Sequence, residues 1–213
     1  MPHRTSPAAS RSDTAGRRPV VLATGNPGKL REFRGLLAGL PVDLQPQSAF
    51  GVLPPEETGE TFLDNALLKA RHAARATGTA ALADDSGLEV DALGGAPGVR
   101  SARYAGAGAD DAANNAKLVA ALAGLPLTAR RARYRCVLVF LASADALPVI
   151  AEGRWEGVIV AAPRGSGGFG YDPYFFLPEL GLTVAELSPA DKNRLSHRGI
   201  ASERLVRALR AWC

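Results

Sequence analysis

The chain has 213 residues, of which 46% are hydrophobic and 22% charged, and its formal net charge is +4. This length and composition fit one globular domain with a sizeable core. No window approaches the roughly eighteen apolar residues of a membrane-spanning helix, so no membrane partner is expected. Two cysteines provide no disulfide framework, which favours a reducing, cytoplasmic compartment.

The basic charge is concentrated at the start of the chain. Positions 1–19 hold four arginines against one acid, which accounts for +3 of the net charge. The remainder is close to neutral, and this argues against a nucleic acid as partner. Because the segment lacks apolar periodicity, we predict a disordered basic extension over 1–18 rather than a transit peptide, followed by a single folded unit over 19–213.

Strands and helices alternate along the first half of the chain. An apolar run at 20–24 predicts a strand, and apolar residues at helical spacing predict a helix over about 27–38. Thr61 followed by Asp64 resembles a capping box and predicts a helix that ends near Gly78. Further predicted elements are short strands at 42–44, 80–83 and 88–91, and a helix over 110–123.

The second half is predicted to be richer in strands. Apolar runs separated by turn residues indicate an antiparallel meander, and Ser188 followed by Pro189 predicts a capped helix start. Together these patterns predict an α/β fold, in which helices flank a central mixed sheet and a second lobe is rich in β-structure. The predicted elements are strands at 134–142, 148–155, 157–161 and 174–177, and a last helix over about 200–211.

The segment from Thr24 to Lys29 turns from the first strand into the first helix. A lysine in a first helical turn opposes the helix dipole unless an anion occupies the helix start. The pattern is not a P-loop, because Leu30 follows Lys29 where a serine or threonine is required. The alternative is an ordinary turn with Asn26 as cap and Pro27 at the first helical position.

Asp84 and Asp85 follow an apolar run, in a place where a buried sheet would gain nothing from two carboxylates. We therefore expect them at a strand end, where paired carboxylates form a recurrent magnesium site. A solvated turn is the alternative. Glu56 and Glu57, in the loop before the second helix, are candidates to complete the site, and Lys69 on that helix is a candidate to reach a phosphate.

The glycine-rich stretch 165–170 matches the dinucleotide fingerprint, but Pro173 disfavours the helix that must follow such a fingerprint. We interpret the stretch as backbone that approaches a ligand closely, with Phe169 available to stack on a base.

Taken jointly, six segments resemble the inosine triphosphate pyrophosphatase family, whose members hydrolyse ITP, XTP and dITP. They occur in the family's order and span nearly the whole chain from residue 19 onward. The segments are 22–29, 57–66, 83–88, 94–98, 167–173 and 196–199.

The resemblance implies an elongated fold with two lobes around a deep active-site cleft, usually assembled as a homodimer. It implies Mg²⁺-dependent hydrolysis of a purine nucleoside triphosphate between the α and β phosphates, which clears deaminated purines from the nucleotide pool. By motif position, Asp85 is the general base and a metal ligand, and Glu56 is the second metal ligand with Glu57 as its alternative. The substrate-binding residues implied are Thr24, Gly25, Asn26, Pro27, Gly28, Lys29, Lys69, Ser86, Phe169, Gly170, Tyr171, Asp172, Lys192, His197 and Arg198.

Three rival hypotheses stay open at the level of sequence. A related pyrophosphatase would act on pyrimidine or modified triphosphates. A different NTPase would release orthophosphate instead of pyrophosphate. A nucleic-acid-binding protein would use the basic extension and would bind with strong salt dependence.

Overall fold

The computed structural model describes residues 16–210 and 212, so most of the extension predicted over 1–18 lies outside the described residues. Seven strands form one mixed sheet in the order β2-β1-β3-β4-β5-β6-β7, with helices against it. This confirms the predicted α/β class. The strands are β1 (Arg18–Leu22), β2 (Val42–Pro46), β3 (Ala80–Val90), β4 (Arg131–Leu141), β5 (Val149–Ile159), β6 (Phe175–Leu177) and β7 (Leu182–Thr183). The helices are α1 (Pro27–Leu36), α2 (Phe62–Thr77), α3 (Asp111–Ala121), α4 (Pro189–Leu195) and α5 (His197–Leu209).

The pairing of β1 and β3 leaves an opening in the sheet. β1 is parallel to both β2 and β3, while β3 to β7 pair antiparallel in sequence order. β1 pairs with β3 only up to Leu22 opposite Leu82, whereas β3 continues along β4 to Val90. One edge of β3 therefore faces a space at the carboxyl end of β1. Ligands of open α/β sheets bind outside the carboxyl ends of parallel strands.

Helices cover both faces of the sheet. On one face, Phe33 of α1 and Leu205 of α5 share a core with Leu82 of β3. On the other face, the small side chains of Ala66 and Ala70 let α2 lie close to the strands. A third core joins the far ends of β3, β4 and β5 to α3 and β6, and it corresponds to the predicted β-rich lobe. Within the described residues, no helix is both long enough and apolar enough to cross a membrane.

The predicted helix starts are confirmed by their caps. Thr61 Oγ1 accepts the Asp64 N–H at 3.1 Å, and Asp64 Oδ2 accepts the Thr61 N–H at 3.2 Å, which completes the capping box of α2. Ser188 Oγ likewise accepts the Asp191 N–H at the start of α4. Each cap satisfies a backbone donor that a helix start leaves free, so local sequence was enough to place these boundaries.

The prediction was wrong at β3. The sequence predicts two short strands with the acidic pair at the end of the first, whereas one continuous strand runs from Ala80 to Val90. Asp84 lies opposite Leu138 and Asp85 opposite Val137, in the middle of the pairing with β4. Two carboxylates in the interior of a buried strand require compensating cations on both faces of the sheet.

Several boundaries also differ from those predicted. The second strand of the meander continues through the predicted break to Ile159, and β7 was not predicted. α5 begins at His197 instead of residue 200, because Ser196 caps it by accepting the Gly199 N–H. β1 begins at Arg18, where Arg18 pairs with Val42 of β2, inside the range predicted as extension.

The contact between β5 and α5 yields a test of the packing. A Cβ on Gly153 would lie 1.9 Å from the His197 carbonyl oxygen and 2.7 Å from the Ala201 nitrogen, both of them backbone atoms. Gly153→Ala must therefore push α5 away from the sheet, and we expect urea denaturation to show a loss of about 1–3 kcal/mol in the free energy of unfolding. Gly39→Ala is the control, because its Cβ would meet nothing within 4 Å. Equal stability of the two variants would contradict this packing.

Candidate active site

A cavity of about 300 Å³ opens at the carboxyl end of β1. Its wall combines the loop after β1 with parts of α1, α2 and β3, the glycine-rich loop before β6, and residues of α4 and α5. The cavity thus gathers most of the residues that the resemblance implies for the substrate. Those lining it are Thr24, Gly25, Asn26, Lys29, Lys69, Ser86, Phe169, Gly170, Tyr171, Asp172, Lys192, His197 and Arg198.

Four of the implied residues lie outside this lining. Pro27 and Gly28 belong to the first turn of α1, directly beside lining residues, and are not themselves part of the lining. Asp85 lies behind Lys69, whose ammonium contacts its carboxylate, and Glu56 is exposed.

The start of α1 is an ordinary capped turn in this structure. Asn26 Oδ1 accepts the N–H groups of Gly28 at 2.8 Å and Lys29 at 3.2 Å. Lys29 points toward β3 on the same face of the sheet, and its Nζ lies 2.8 Å from Asp84 Oδ2. The local geometry therefore matches the alternative interpretation of this segment, and a phosphate at the helix start stays a prediction.

Asp84 and Asp85 point to opposite faces of the sheet, as consecutive strand residues must. On the α1 and α5 face, Asp84 pairs with Lys29 and lies 3.7 Å from an Arg198 nitrogen. On the α2 face, Asp85 Oδ1 pairs with Lys69 Nζ at 2.8 Å, and its Oδ2 accepts from Asn65 Nδ2 at 3.3 Å. Each carboxylate is thus held by a cation from a different helix.

The two neighbouring carboxylates have opposite pKa shifts. Burial favours the neutral form of Asp84, but Lys29 and Arg198 outweigh it and hold the pKa of Asp84 well below its usual range. At Asp85, burial outweighs the opposing effect of Lys69, and Glu57 adds to the burial effect, so the pKa of Asp85 is raised. Asp84 is therefore held as an anion, and Asp85 is the more readily protonated of the two carboxylates.

Glu57, and not Glu56, lies beside Asp85. Lys69 Nζ contacts Glu57 Oε1 and Asp85 Oδ1, each at 2.8 Å, and Arg103 contacts the other Glu57 oxygen at 3.3 Å. Burial favours protonation of Glu57, but Lys69 and Arg103 outweigh it and lower the pKa of Glu57. Glu56 is exposed and does not line the cavity, so the geometry favours the alternative, Glu57, while the metal ligand itself stays a prediction.

Glu57 and Asp85 suit a metal ion that is also coordinated by oxygens of a bound phosphate. Among the described residues, no group of three or more His, Cys, Asp or Glu side chains is arranged to hold a metal ion. Glu57 and Asp85 already bind one cation, the Lys69 ammonium, between them. Mg²⁺ is commonly held by one or two carboxylates together with substrate phosphates and water. This pair therefore fits the implied metal when a phosphate is also present.

Asp172 organises the glycine-rich loop on the other side of the cavity. Its Oδ2 accepts from the Phe169 N–H at 3.0 Å and from Lys192 Nζ at 2.8 Å, while its Oδ1 accepts from Tyr134 Oη at 3.1 Å. The Lys192 ammonium also lies 4.3 Å from the centre of the Phe169 ring. Phe169 is thereby fixed at the cavity wall with one ring face against a cation.

His197 is neutral in this environment. It is stacked on Tyr134 with ring centres 4.7 Å apart. Burial, together with the charges of Arg198 and Lys192, holds the pKa of His197 well below its usual range. Its Nδ1 has no hydrogen-bond partner within the described part of the chain, and a neutral imidazole can donate or accept there.

Sequence reasoning missed several residues that support the site. Glu32 contacts Arg198 and also lies 3.1 Å from Lys192 Nζ. At the start of α3, Asp111 accepts the Gly170 N–H and Asn115 donates to the Gly170 carbonyl. The only available signal was for Glu32, which lies three residues after Lys29 and so on the same side of α1.

Comparisons with known proteins show the family of the chain. A sequence model of the Ham1 family matches residues 20–208. The chain belongs to the Ham1 family. This confirms the resemblance that the motifs indicate.

Ham1 relatives resemble the chain along nearly all of its length. A dITP/XTP pyrophosphatase of Thioalkalivibrio sulfidiphilus is 59% identical over 191 residues, which cover 89% of this chain and 97% of that relative. The structure of a HAM1 protein from Coxiella burnetii is 48% identical with a TM-score of 0.85, covering 90% of this chain and 98% of that one. A nucleoside-triphosphatase / dITP/XTP pyrophosphatase from Mycobacterium abscessus is 42% identical with a TM-score of 0.71, covering 92% and 97%.

The lowered pKa of Asp84 predicts how stability depends on pH. A carboxyl whose pKa is lower in the folded than in the unfolded chain stabilises the folded protein. This stabilisation is fully present at pH values above the pKa in the unfolded chain, about 3.9, and it is lost as the pH falls toward the pKa in the folded protein. Asp84→Asn should lower the free energy of unfolding by about 3 kcal/mol at pH 7, because two buried cations lose a partner. We expect the difference between wild type and variant, measured by urea denaturation, to shrink by about 1 kcal/mol between pH 5 and pH 3. A difference that stays constant over this range would contradict an ionised Asp84.

Proposed function

We propose that the chain hydrolyses deaminated purine nucleoside triphosphates, namely XTP, dITP and ITP, to the monophosphate and pyrophosphate with Mg²⁺. The observation that carries this proposal is the convergence of Lys29, Lys69, Lys192 and Arg198 on one cavity beside the carboxylate pair. Such a cavity suits a polyanion that brings a metal ion with it. The relative named dITP/XTP pyrophosphatase, at 59% identity, supports the substrate class.

The cations of the cavity would bind and orient the phosphates. Each of the three lysines is paired with a carboxylate: Lys29 with Asp84, Lys69 with Asp85, and Lys192 with Asp172. Phosphate oxygens of a bound nucleotide would be alternative anionic partners for these lysines at the cavity surface. Phosphoryl transfer depends mainly on positioning and charge stabilisation, which such contacts provide.

Asp85 is the group best suited to activate water. In the proposed step it accepts a proton from a water molecule, the water oxygen bonds to the α-phosphorus, and the bond to the bridging oxygen breaks so that pyrophosphate leaves. The raised pKa of Asp85 supports this role, because an acceptor with a pKa nearer to neutrality takes up the proton more readily. Glu57 and Asp85 would hold Mg²⁺, which supplies charge neutralisation for the phosphates when it is bound.

Selectivity for the base is a matter of hydrogen-bond complementarity. Hypoxanthine and xanthine carry a 6-oxo acceptor where adenine carries an amino donor. Donors fixed near that position would be left unpaired by adenine, and such mismatches discriminate strongly. Arg198 supports this idea, because it lines the cavity and its Nε has no partner among the described residues. Phe169, held at the wall by Asp172, supplies a ring for stacking.

The products and substrates of the reaction test the proposal. We expect stoichiometric pyrophosphate and no orthophosphate from XTP, ITP and dITP, with kcat/KM well above that for ATP, UTP and dTTP. A coupled assay specific for each phosphate product measures both quantities. Release of orthophosphate, or a preference for pyrimidine triphosphates, would contradict the proposal and favour one of the rival activities.

Asp85→Asn tests the assignment of the base. We expect kcat to fall by about 10²–10⁴-fold, because general base catalysis is lost. Folding should be largely spared, since the amide has the same shape and Lys69 keeps its contact with Glu57. Asp145→Asn, in the exposed loop between β4 and β5, is the matched control and should turn over normally. Near-normal turnover by Asp85→Asn, with far-ultraviolet circular dichroism unchanged, would refute the role.

A further inference from the structure

Lys69 occupies the space between the two carboxylates that fit a metal. Its ammonium lies 2.8 Å from Glu57 Oε1 and 2.8 Å from Asp85 Oδ1, and the side chain is only 9% exposed. The remaining oxygens also have donors: Asn65 donates to Asp85 Oδ2 at 3.3 Å, and Arg103 donates to Glu57 Oε2 at 3.3 Å. Every carboxylate oxygen of the pair is therefore hydrogen-bonded, and Lys69 is the donor that both carboxylates share.

A divalent cation must displace Lys69 to bind both carboxylates. Two cations a few ångströms apart repel each other strongly in a buried site. Asn65 is fully buried and is fixed from its other side, where its Oδ1 accepts the Gly59 N–H at 2.8 Å. Lys69, by contrast, has a flexible stem and lines the cavity, so it is the donor that can move.

The displaced ammonium needs another anion. Removing one partner of a buried ion pair leaves an uncompensated charge, which strongly disfavours a simple exchange of Lys69 for a free metal ion. A triphosphate in the cavity supplies both the anion that receives Lys69 and the oxygens that complete the coordination of the metal. Metal binding and nucleotide binding are then favourable only together.

We propose that Lys69, held between Glu57 and Asp85, excludes free divalent cations from the ligand-free site, so that the substrate bound is the metal–triphosphate complex. As that complex enters, the Lys69 ammonium moves from the two carboxylates to a phosphate oxygen, and the metal takes its place. This inference rests on the proposed function and adds the chemical form in which the substrate is recognised.

Binding of Mn²⁺ to the nucleotide-free full chain tests the exchange. Electron paramagnetic resonance counts free Mn²⁺, and we expect Lys69→Met to bind Mn²⁺ about tenfold or more tightly than the wild type, because the competing ammonium is gone. Lys117→Met is the matched control and should behave as wild type, since Lys117 is exposed, contacts the Tyr104 carbonyl and ring, and does not line the cavity. Adding Asp85→Asn to Lys69→Met should remove the gain. Equal Mn²⁺ affinities of wild type and folded Lys69→Met would overturn the proposal.

The wild type alone gives a second test that needs no variant to fold. The chain has four lysines, so the ammonium signals of a lysine-labelled sample are few enough to assign by nuclear magnetic resonance. We expect millimolar Mg²⁺ alone to leave the Lys69 signal unchanged, and Mg²⁺ with a non-hydrolysable ITP analogue to shift it. A shift caused by Mg²⁺ alone, or an unshifted Lys69 signal while Lys29 and Lys192 respond to the analogue, would overturn the exchange. Neither result depends on turnover. The proposed function is tested separately by the pyrophosphate assay, so failure of the exchange and failure of the function can be told apart.

Discussion

The site depends on two carboxylates buried in the middle of one strand. Asp84 and Asp85 lie where β3 has lost its neighbour β1 but is still paired with β4. Because strand side chains alternate, one carboxylate enters each helical layer, and each requires a cation there. Lys29 of α1 and Lys69 of α2 supply them from opposite faces of the sheet. The same pair of contacts that permits burial also brings two helices to the open edge of β3.

In this arrangement the lysines of the cavity are paired with carboxylates of the chain itself. An anion that makes only one contact must compete with carboxylates that already contact the cations, so its binding free energy is small. A triphosphate with its metal can offer several contacts at once and so replace the internal pairs together. After cleavage the monophosphate offers fewer, and the internal pairs become the better partners again. On the proposed function, the same ion pairs therefore favour polyphosphate binding and the release of products.

Local sequence patterns predicted the parts of the fold that are decided locally. The capping box at Thr61 and the cap at Ser188 are formed within four residues, and both helix starts were predicted correctly. The position of the acidic pair was predicted wrongly because its environment is set by residues distant in sequence. A polar break in an apolar run indicates the end of a strand unless basic residues from other parts of the chain pair with it, as Lys29 and Lys69 do here. Arg198 and Glu32 lie 166 positions apart in the chain, so no local pattern could predict the contact between them. The motifs found most of the cavity wall, while its supporting residues depend on the tertiary fold.

Glu32 shows how the two sides of the cavity are joined. Asp172 holds the glycine-rich loop and Lys192, Lys192 contacts Glu32, and Glu32 contacts Arg198. Arg198 in turn lies 3.7 Å from Asp84, which pairs with Lys29 in the first turn of α1. A continuous series of ion pairs thus runs from the loop that carries Phe169 to the start of α1. Since most members are buried, loss of one leaves its neighbours as unpaired charges, so the loop that carries Phe169 and the start of α1 depend on the same network.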